Sequence, residues 1–231
     1  MDNILDRAGR FRGDIFEKES ALYQTLAHHG QNPKALMISC ADSRVVPELI
    51  TQARPGDLFV CRNAGNIVPP FSQANGGVSS AVEYAIVALK VRDIVVCGHS
   101  DCGAMKAFLK PEVLDDMPNV ATWLRHAHAA ESVVKAAYPD NMDDRDRVRA
   151  LALENVIAQI NHLRTHPSVA AAMARGELSL HGWFFEIDSG TIMALDGKTG
   201  SFVNVNNDEP LPVALSSDVA SVPHMPMAAA L

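Results

Sequence analysis

The chain is short of positive charge: 20 Lys and Arg face 27 Asp and Glu, a formal net charge of −7. Broad contact with nucleic-acid phosphates needs clustered cations, so that role is disfavoured. Cysteine is scarce as well. Four in 231 residues are too few for a disulfide scaffold; in a reducing compartment they should be free thiols or metal ligands. No Cys-x-x-Cys pair occurs, which disfavours a thiol-redox protein. Long apolar runs are missing too, none approaching the ~20 residues that cross a bilayer as a helix. Residues 1–18 scatter Asp2, Asp6, Arg7, Arg10, Arg12 and Asp14 among their apolar neighbours, so they lack the apolar core of a signal peptide. A cytoplasmic protein without membrane or nucleic-acid partners is expected. What remains is an ordinary globular composition, 48% hydrophobic, ample for one buried core.

Residues 1–30 read as a helical arm with charged faces. Ala35-Leu36-Met37-Ile38, Leu58-Phe59-Val60-Cys61 and Ile94-Val95-Val96-Cys97 are short apolar runs that suit buried strands. Between the last two, Val78, Ala81, Val82, Ala85, Ile86 and Leu89 recur at helical spacing. Strand, helix and strand in that order describe a right-handed βαβ unit, hence a mainly parallel sheet flanked by helices. Segments 119–138 and 143–164 are further helices. Residues 183–187 and 191–195, around Asp188-Ser189-Gly190, read as a hairpin that puts an antiparallel strand at the sheet edge. The expected organisation is one α/β domain over 1–205, including the arm, followed by an irregular, proline-bearing tail over 206–231 suited to lying on a neighbour.

Three soft ligands fall at strand ends. Cys40 closes the first strand in Cys40-Ala41-Asp42-Ser43-Arg44; His99 and Cys102 follow the third in Gly98-His99-Ser100-Asp101-Cys102-Gly103. In a parallel sheet the carboxyl ends of strands form the ligand crevice. Two thiolates and an imidazole suit zinc and leave a fourth position for water. Cys102 should open a helix over 103–109, whose N-terminus would favour its thiolate. Cys61 and Cys97 sit inside apolar runs and read as buried thiols, with Cys97 the competing ligand.

These segments, with Arg62-Asn63-Ala64-Gly65-Asn66 and Leu180-His181-Gly182-Trp183, resemble the β-class carbonic anhydrases over residues 30–200. The resemblance implies one zinc per chain on Cys40, His99 and Cys102, and interconversion of carbon dioxide and bicarbonate. It also implies a homodimer or dimer-based tetramer whose sites lie at the subunit interface. Asp42 would accept a hydrogen bond from the zinc-bound hydroxide, held ionised by Arg44 as a bidentate partner. Gln31 would donate to substrate oxygen, and Phe59, Ala64 and Tyr84 would line an apolar pocket partly supplied across the dimer. Another branch of the family binds inhibitory bicarbonate at a Trp–Arg–Tyr trio. The matching residues here are Met37, Arg62 and Phe185, which leaves only the arginine and favours an open site. His181 reads as structural, and His28, His29, His126, His128, His162 and His166 as solvated helix residues. Two other readings stay open. One is hydrolysis of carbonyl sulfide or carbon disulfide on the same metal; the other is a zinc-bearing assembly domain without turnover.

Overall fold

Apolar runs flanked by turn residues become the strands of a six-stranded sheet in the computed structural model, which describes residues 3–72, 76–205 and 212–216. The strands are β1 (Ala35–Cys40), β2 (Leu58–Asn63), β3 (Asp93–His99), β4 (Ser179–Phe185), β5 (Ile192–Leu195) and β6 (Phe202–Asn204). Their spatial order is β2-β1-β3-β4-β5-β6. The first four run parallel, while β5 and β6 add antiparallel pairings at one edge. The α/β sheet with an antiparallel edge is as expected, and β6 extends that edge by a strand the sequence pattern does not reveal.

The helices are α1 (Ile4–Phe11), α2 (Glu17–His29), α3 (Pro47–Ile50), α4 (Gly77–Val87), α5 (Gly103–Lys106), α6 (Pro118–Leu124), α7 (His128–Ala137), α8 (Asp144–Arg164) and α9 (Pro167–Ala174). A five-residue π turn, Arg12–Phe16, joins α1 to α2 in an arm that buries none of its side chains. The expected helix over 119–138 is instead broken into α6, a short 3₁₀ turn and α7.

Helix α8 organises the core. Asp143 caps it by accepting the Asp146 N–H at 2.8 Å. It lies directly on β3 and β4, because both strands present glycine beneath it. A Cβ on Gly98 would fall 2.8 Å from Val156 Cγ2, and one on Gly182 would fall 2.9 Å from both Ile160 Cδ1 and Val156 Cγ1. The helix is buried on its far side too, where Glu154, Asn155 and Gln159 have almost no exposure. Buried polar groups must be paired, and Glu154 accepts from Tyr138 Oη at 2.8 Å. The opposite sheet face carries a smaller patch of Met37, Val95 and Cys97, packed by half-buried Leu58, Trp183 and Phe185.

Of the expected tail, residues 206–211 and 217–231 lie outside the described residues. The described stretch, 212–216, lies on the chain's own β4: Leu215 and Leu180 exchange backbone hydrogen bonds of 2.9 and 3.0 Å.

Candidate metal centre

The three ligand candidates arrive from two strands and one helix start. Cys40 is the last residue of β1, on the face of Leu36 and Ile38. His99 ends β3, on the opposite face with Val95 and Cys97. Cys102 is the residue before α5. At the carboxyl edge the three meet across the end of the sheet, all buried, with their ligand atoms within 4.8 Å of one another. His99 Nδ1 lies 2.8 Å from the Ser100 carbonyl. A carbonyl only accepts, so Nδ1 carries the proton and Nε2 keeps its lone pair. That Nε2 is buried without a hydrogen-bond partner. An orphaned imidazole nitrogen facing two thiols fits a soft divalent ion.

The thiols are unequal. The hydrogen bond from Cys102, helped by the amides of Gly65 and Asp42, pulls Cys40 well below the usual thiol value despite burial. Cys102 is raised by that same shared hydrogen bond and by burial, against the opposing amides of Met105 and Ala104. Without a cation the two sulfurs are joined by one shared hydrogen bond, which lowers Cys40 and raises Cys102. The start of α5 acts on Cys102 in the expected direction, through the amides of Ala104 and Met105, but the helix runs only from Gly103 to Lys106 and in the metal-free pair the shared hydrogen bond and burial outweigh it. Cys97 lies outside the cluster, pushed up to about 12 by complete burial. Burial also raises Cys61.

Asp42 and Arg44 form the bidentate pair read from their spacing. Arg44 Nε and Nη2 donate to Asp42 Oδ1 and Oδ2 at 2.9 and 2.8 Å, and the Arg44 amide adds a 3.0 Å bond. This fork holds the Asp42 carboxyl far below the ordinary carboxylate range. Sequence reasoning gave no role to the second carboxylate on the same arginine. Arg44 Nη1 donates to Asp101 Oδ2 at 3.0 Å, and Lys106 pairs with the other Asp101 oxygen. Asp101 sits in the left-handed region, at φ 59°, between the two ligands of the His-x-x-Cys turn. The only hint was an Asp placed where the chain must turn sharply. Arg62 braces the end of β1, donating to the carbonyls of Cys40 and Asp42 at 3.1 and 2.7 Å.

The pocket residues divide. Ala64 follows β2 beside the cluster, its carbonyl accepting from Trp123 Nε1 at 2.9 Å. Phe59 and Tyr84 pack together, ring centroids 5.8 Å apart, but Phe59 pairs with Leu36 near the amino ends of the strands. Gln31 is exposed and precedes β1. A strand rises about 3.3 Å per residue, which puts Phe59 roughly 13 Å from the Cys40 end and Gln31 farther still. One chain therefore does not bring these three to its own cluster. His181 is also remote, bonded at 2.8 Å to Asp93 at the start of β3, as a structural residue would be. The reading of the helix histidines as solvated is corrected in part. His166 is buried and bonds the Pro69 carbonyl at 3.0 Å, and His162 bonds that of Val68 at 2.8 Å. The loop after β2 crosses α8 there and needs acceptors satisfied. A cleft of about 1260 Å³ opens beyond Arg44 and Asp101, but its walls are mostly charged, unlike a pocket for an apolar substrate.

A parallel α/β sheet with a Cys–His–Cys cluster at its carboxyl edge defines a protein built to hold a metal. The family model described as Carbonic anhydrase matches residues 35–192. The chain is 53% identical over 205 residues to a carbonic anhydrase of Pseudomonas aeruginosa, covering 89% of this chain and 92% of that one. Among solved structures it resembles the β-carbonic anhydrase CcaA with a TM-score of 0.82 at 42% identity, covering 89% and 92% of the two chains. Against one of two tetrameric β-carbonic anhydrases of Sordaria macrospora the TM-score is 0.70 at 34% identity, covering 83% and 94%. The chain belongs to the carbonic anhydrase family, in its β class, and is an enzyme.

Proposed function

We propose that this enzyme reversibly hydrates carbon dioxide to bicarbonate and a proton, with one zinc ion per chain held by Cys40, His99 and Cys102. The observation that carries the reading is the convergence of three buried ligand atoms within 4.8 Å around an unpartnered His99 Nε2. Zinc supplies a Lewis acid that makes water a nucleophile near neutral pH. The chain's own residues do the rest. Asp42 accepts a hydrogen bond from the attacking hydroxyl and so aims its lone pair at carbon dioxide. Arg44 keeps that carboxylate ionised and fixed. Ala64 gives the cluster an apolar neighbour, and Gln31, Phe59 and Tyr84 complete the pocket from a second subunit.

Assembly as a homodimer or a pair of dimers follows from the same division of parts. The arm buries no side chain and leaves Ile4 and Leu5 80% and 72% exposed, a surface that suits a partner. The catalytic domain is taken as 1–205. No helix among the described residues is long and apolar enough to cross a membrane, and a cytoplasmic location is inferred. Stopped-flow hydration of carbon dioxide, with zinc measured on the same sample, tests the reading. Turnover at one zinc per chain is expected; a zinc-free sample of undiminished activity would overturn it.

A further inference from the structure

Gly65 is wedged between the Cys40 sulfur and the helix that Cys102 opens. Its N–H donates to Cys40 Sγ at 3.4 Å. A Cβ there would fall 3.0 Å from Ala104 Cβ and 3.3 Å from Met105 Cε, both on the helix that Cys102 opens. Its φ of 76° and ψ of 22° lie in the left-handed region that favours glycine. Gly65 is held on both sides: the Ala64 carbonyl, in the peptide that carries the Gly65 N–H, accepts from Trp123 Nε1 at 2.9 Å, and the next peptide is anchored from α8. Asn155 Nδ2 donates to the Gly65 carbonyl at 2.9 Å, and Asn155 Oδ1 accepts from Gln159 Nε2 at 2.8 Å. Gln159 in turn accepts the Val68 N–H at 2.9 Å and donates to the His126 carbonyl at 3.1 Å. Both amides are fully buried, one turn apart on α8, the helix seated on Gly98 and Gly182.

We propose that Asn155 and Gln159 are positioning residues for the metal centre: by anchoring the Gly65 carbonyl they fix the backbone of the residue whose N–H reaches the Cys40 sulfur, and so how strongly that sulfur donates to the metal. The proposal rests on the metal reading above. An N–H bonded to a thiolate withdraws electron density from sulfur, and outer partners of a ligand typically carry 10–100-fold in metal affinity. Helix α8 offers no ligand of its own among the three converging residues; its part is to hold the loop that finishes the sulfur's surroundings.

The test is the full chain loaded with cobalt(II) in place of zinc, read by its thiolate-to-metal charge-transfer band. Asn155→Leu frees the Gly65 carbonyl, so the N–H···S bond loosens and the band moves to longer wavelength. Zinc affinity, measured by chelator competition, falls roughly 10–100-fold. Gln159→Met, one bond further out, produces a smaller shift of the same sign. Glu154→Gln, a neighbouring buried change on α8 that touches Tyr138 instead, lowers thermal stability and leaves the band in place. If Asn155→Leu does not fold, Gln159→Met decides. An unmoved band in a folded Asn155 or Gln159 variant would overturn the relay while leaving the metal reading intact. Failure of the wild-type chain to take up cobalt at all would sink both.

Discussion

The two ends of the parallel sheet are built to different standards. At the carboxyl end the groups around the cluster are tied down by several side chains: Asp42 by three bonds from Arg44, the β1 terminus by Arg62, Gly65 by Asn155. At the amino end, Gln31 is exposed, Tyr84 is 50% exposed and half-buried Phe59 packs on the Tyr84 ring. Charge chemistry needs fixed dipoles, because a carboxylate that must reorient loses its advantage during the reaction. An apolar pocket wall needs only to exclude water, and a second subunit can supply it. On the reading proposed above, one chain prepares the chemistry and assembly prepares the pocket.

The comparison breaks first at the metal. Cys102→Ala should lose more than about 100-fold in zinc affinity, and activity with it, since a ligand counts for more than its outer partners. Cys97→Ala should keep one zinc per chain by metal analysis; loss there and retention in Cys102→Ala would reassign the site. Next comes the carboxylate: Asp42→Asn should retain zinc and lower kcat/KM by roughly 100-fold, the scale of one removed group that stabilises developing charge. At the amino end, Phe59→Ala or Tyr84→Ala should act several-fold, mainly on KM. Mixing Tyr84→Ala with Cys102→Ala chains should regenerate activity if the pocket is shared, and no recovery after subunit exchange would place it within one chain. An active monomer in light scattering at micromolar concentration would likewise break the division.

The pH profile sharpens the same contrast. The pKa of Asp42 is depressed in the folded chain. Its contribution is therefore present above the unfolded carboxylate value of about 3.9 and fades only as pH falls through the lower folded one. It does not titrate between pH 6.5 and 9. Across that interval kcat/KM should rise with a single shallow proton dependence, because two thiolates leave a divalent site nearly neutral and slow to acidify water. Added bicarbonate should produce no steep loss, since Met37 and Phe185 cannot make the indole and phenol bonds of the regulated branch. A multi-proton collapse below neutrality would refute the open site. Smallest is Gly182→Ala, where overpacking against Val156 should cost about 1–3 kcal/mol in urea unfolding.

The strands and the ligand cluster were legible for one physical reason. Apolar runs end where polar residues begin, and in a parallel sheet that junction is the ligand edge. The apolar runs at 35–38, 58–61 and 94–97 nonetheless continue as strand into Ser39–Cys40, Arg62–Asn63 and Gly98–His99, since backbone pairing does not depend on side-chain polarity. What stayed hidden depends on contacts distant in sequence. Asn155 bonds a carbonyl 90 residues away, and within a helical pattern it looks like any solvated amide. Asp101 was quoted inside its motif, yet only the left-handed turn aims it at an arginine 57 residues earlier. Likewise, β6 pairs on the outer edge of β5, and the Leu215 bridge uses the stretch of β4 that the short β5 leaves open.

The two glycines under α8 have a thermal consequence. Because a Cβ on either glycine would fall under 3 Å from α8 side chains, the helix is seated on the bare backbone of β3 and β4. Interiors this dense give way in steps rather than gradually. Helix α8 also carries the amides behind Gly65, so the cluster has no separate, softer mode in which to open. On heating, the cobalt absorption and the far-ultraviolet helix signal should therefore disappear at the same temperature, as one event.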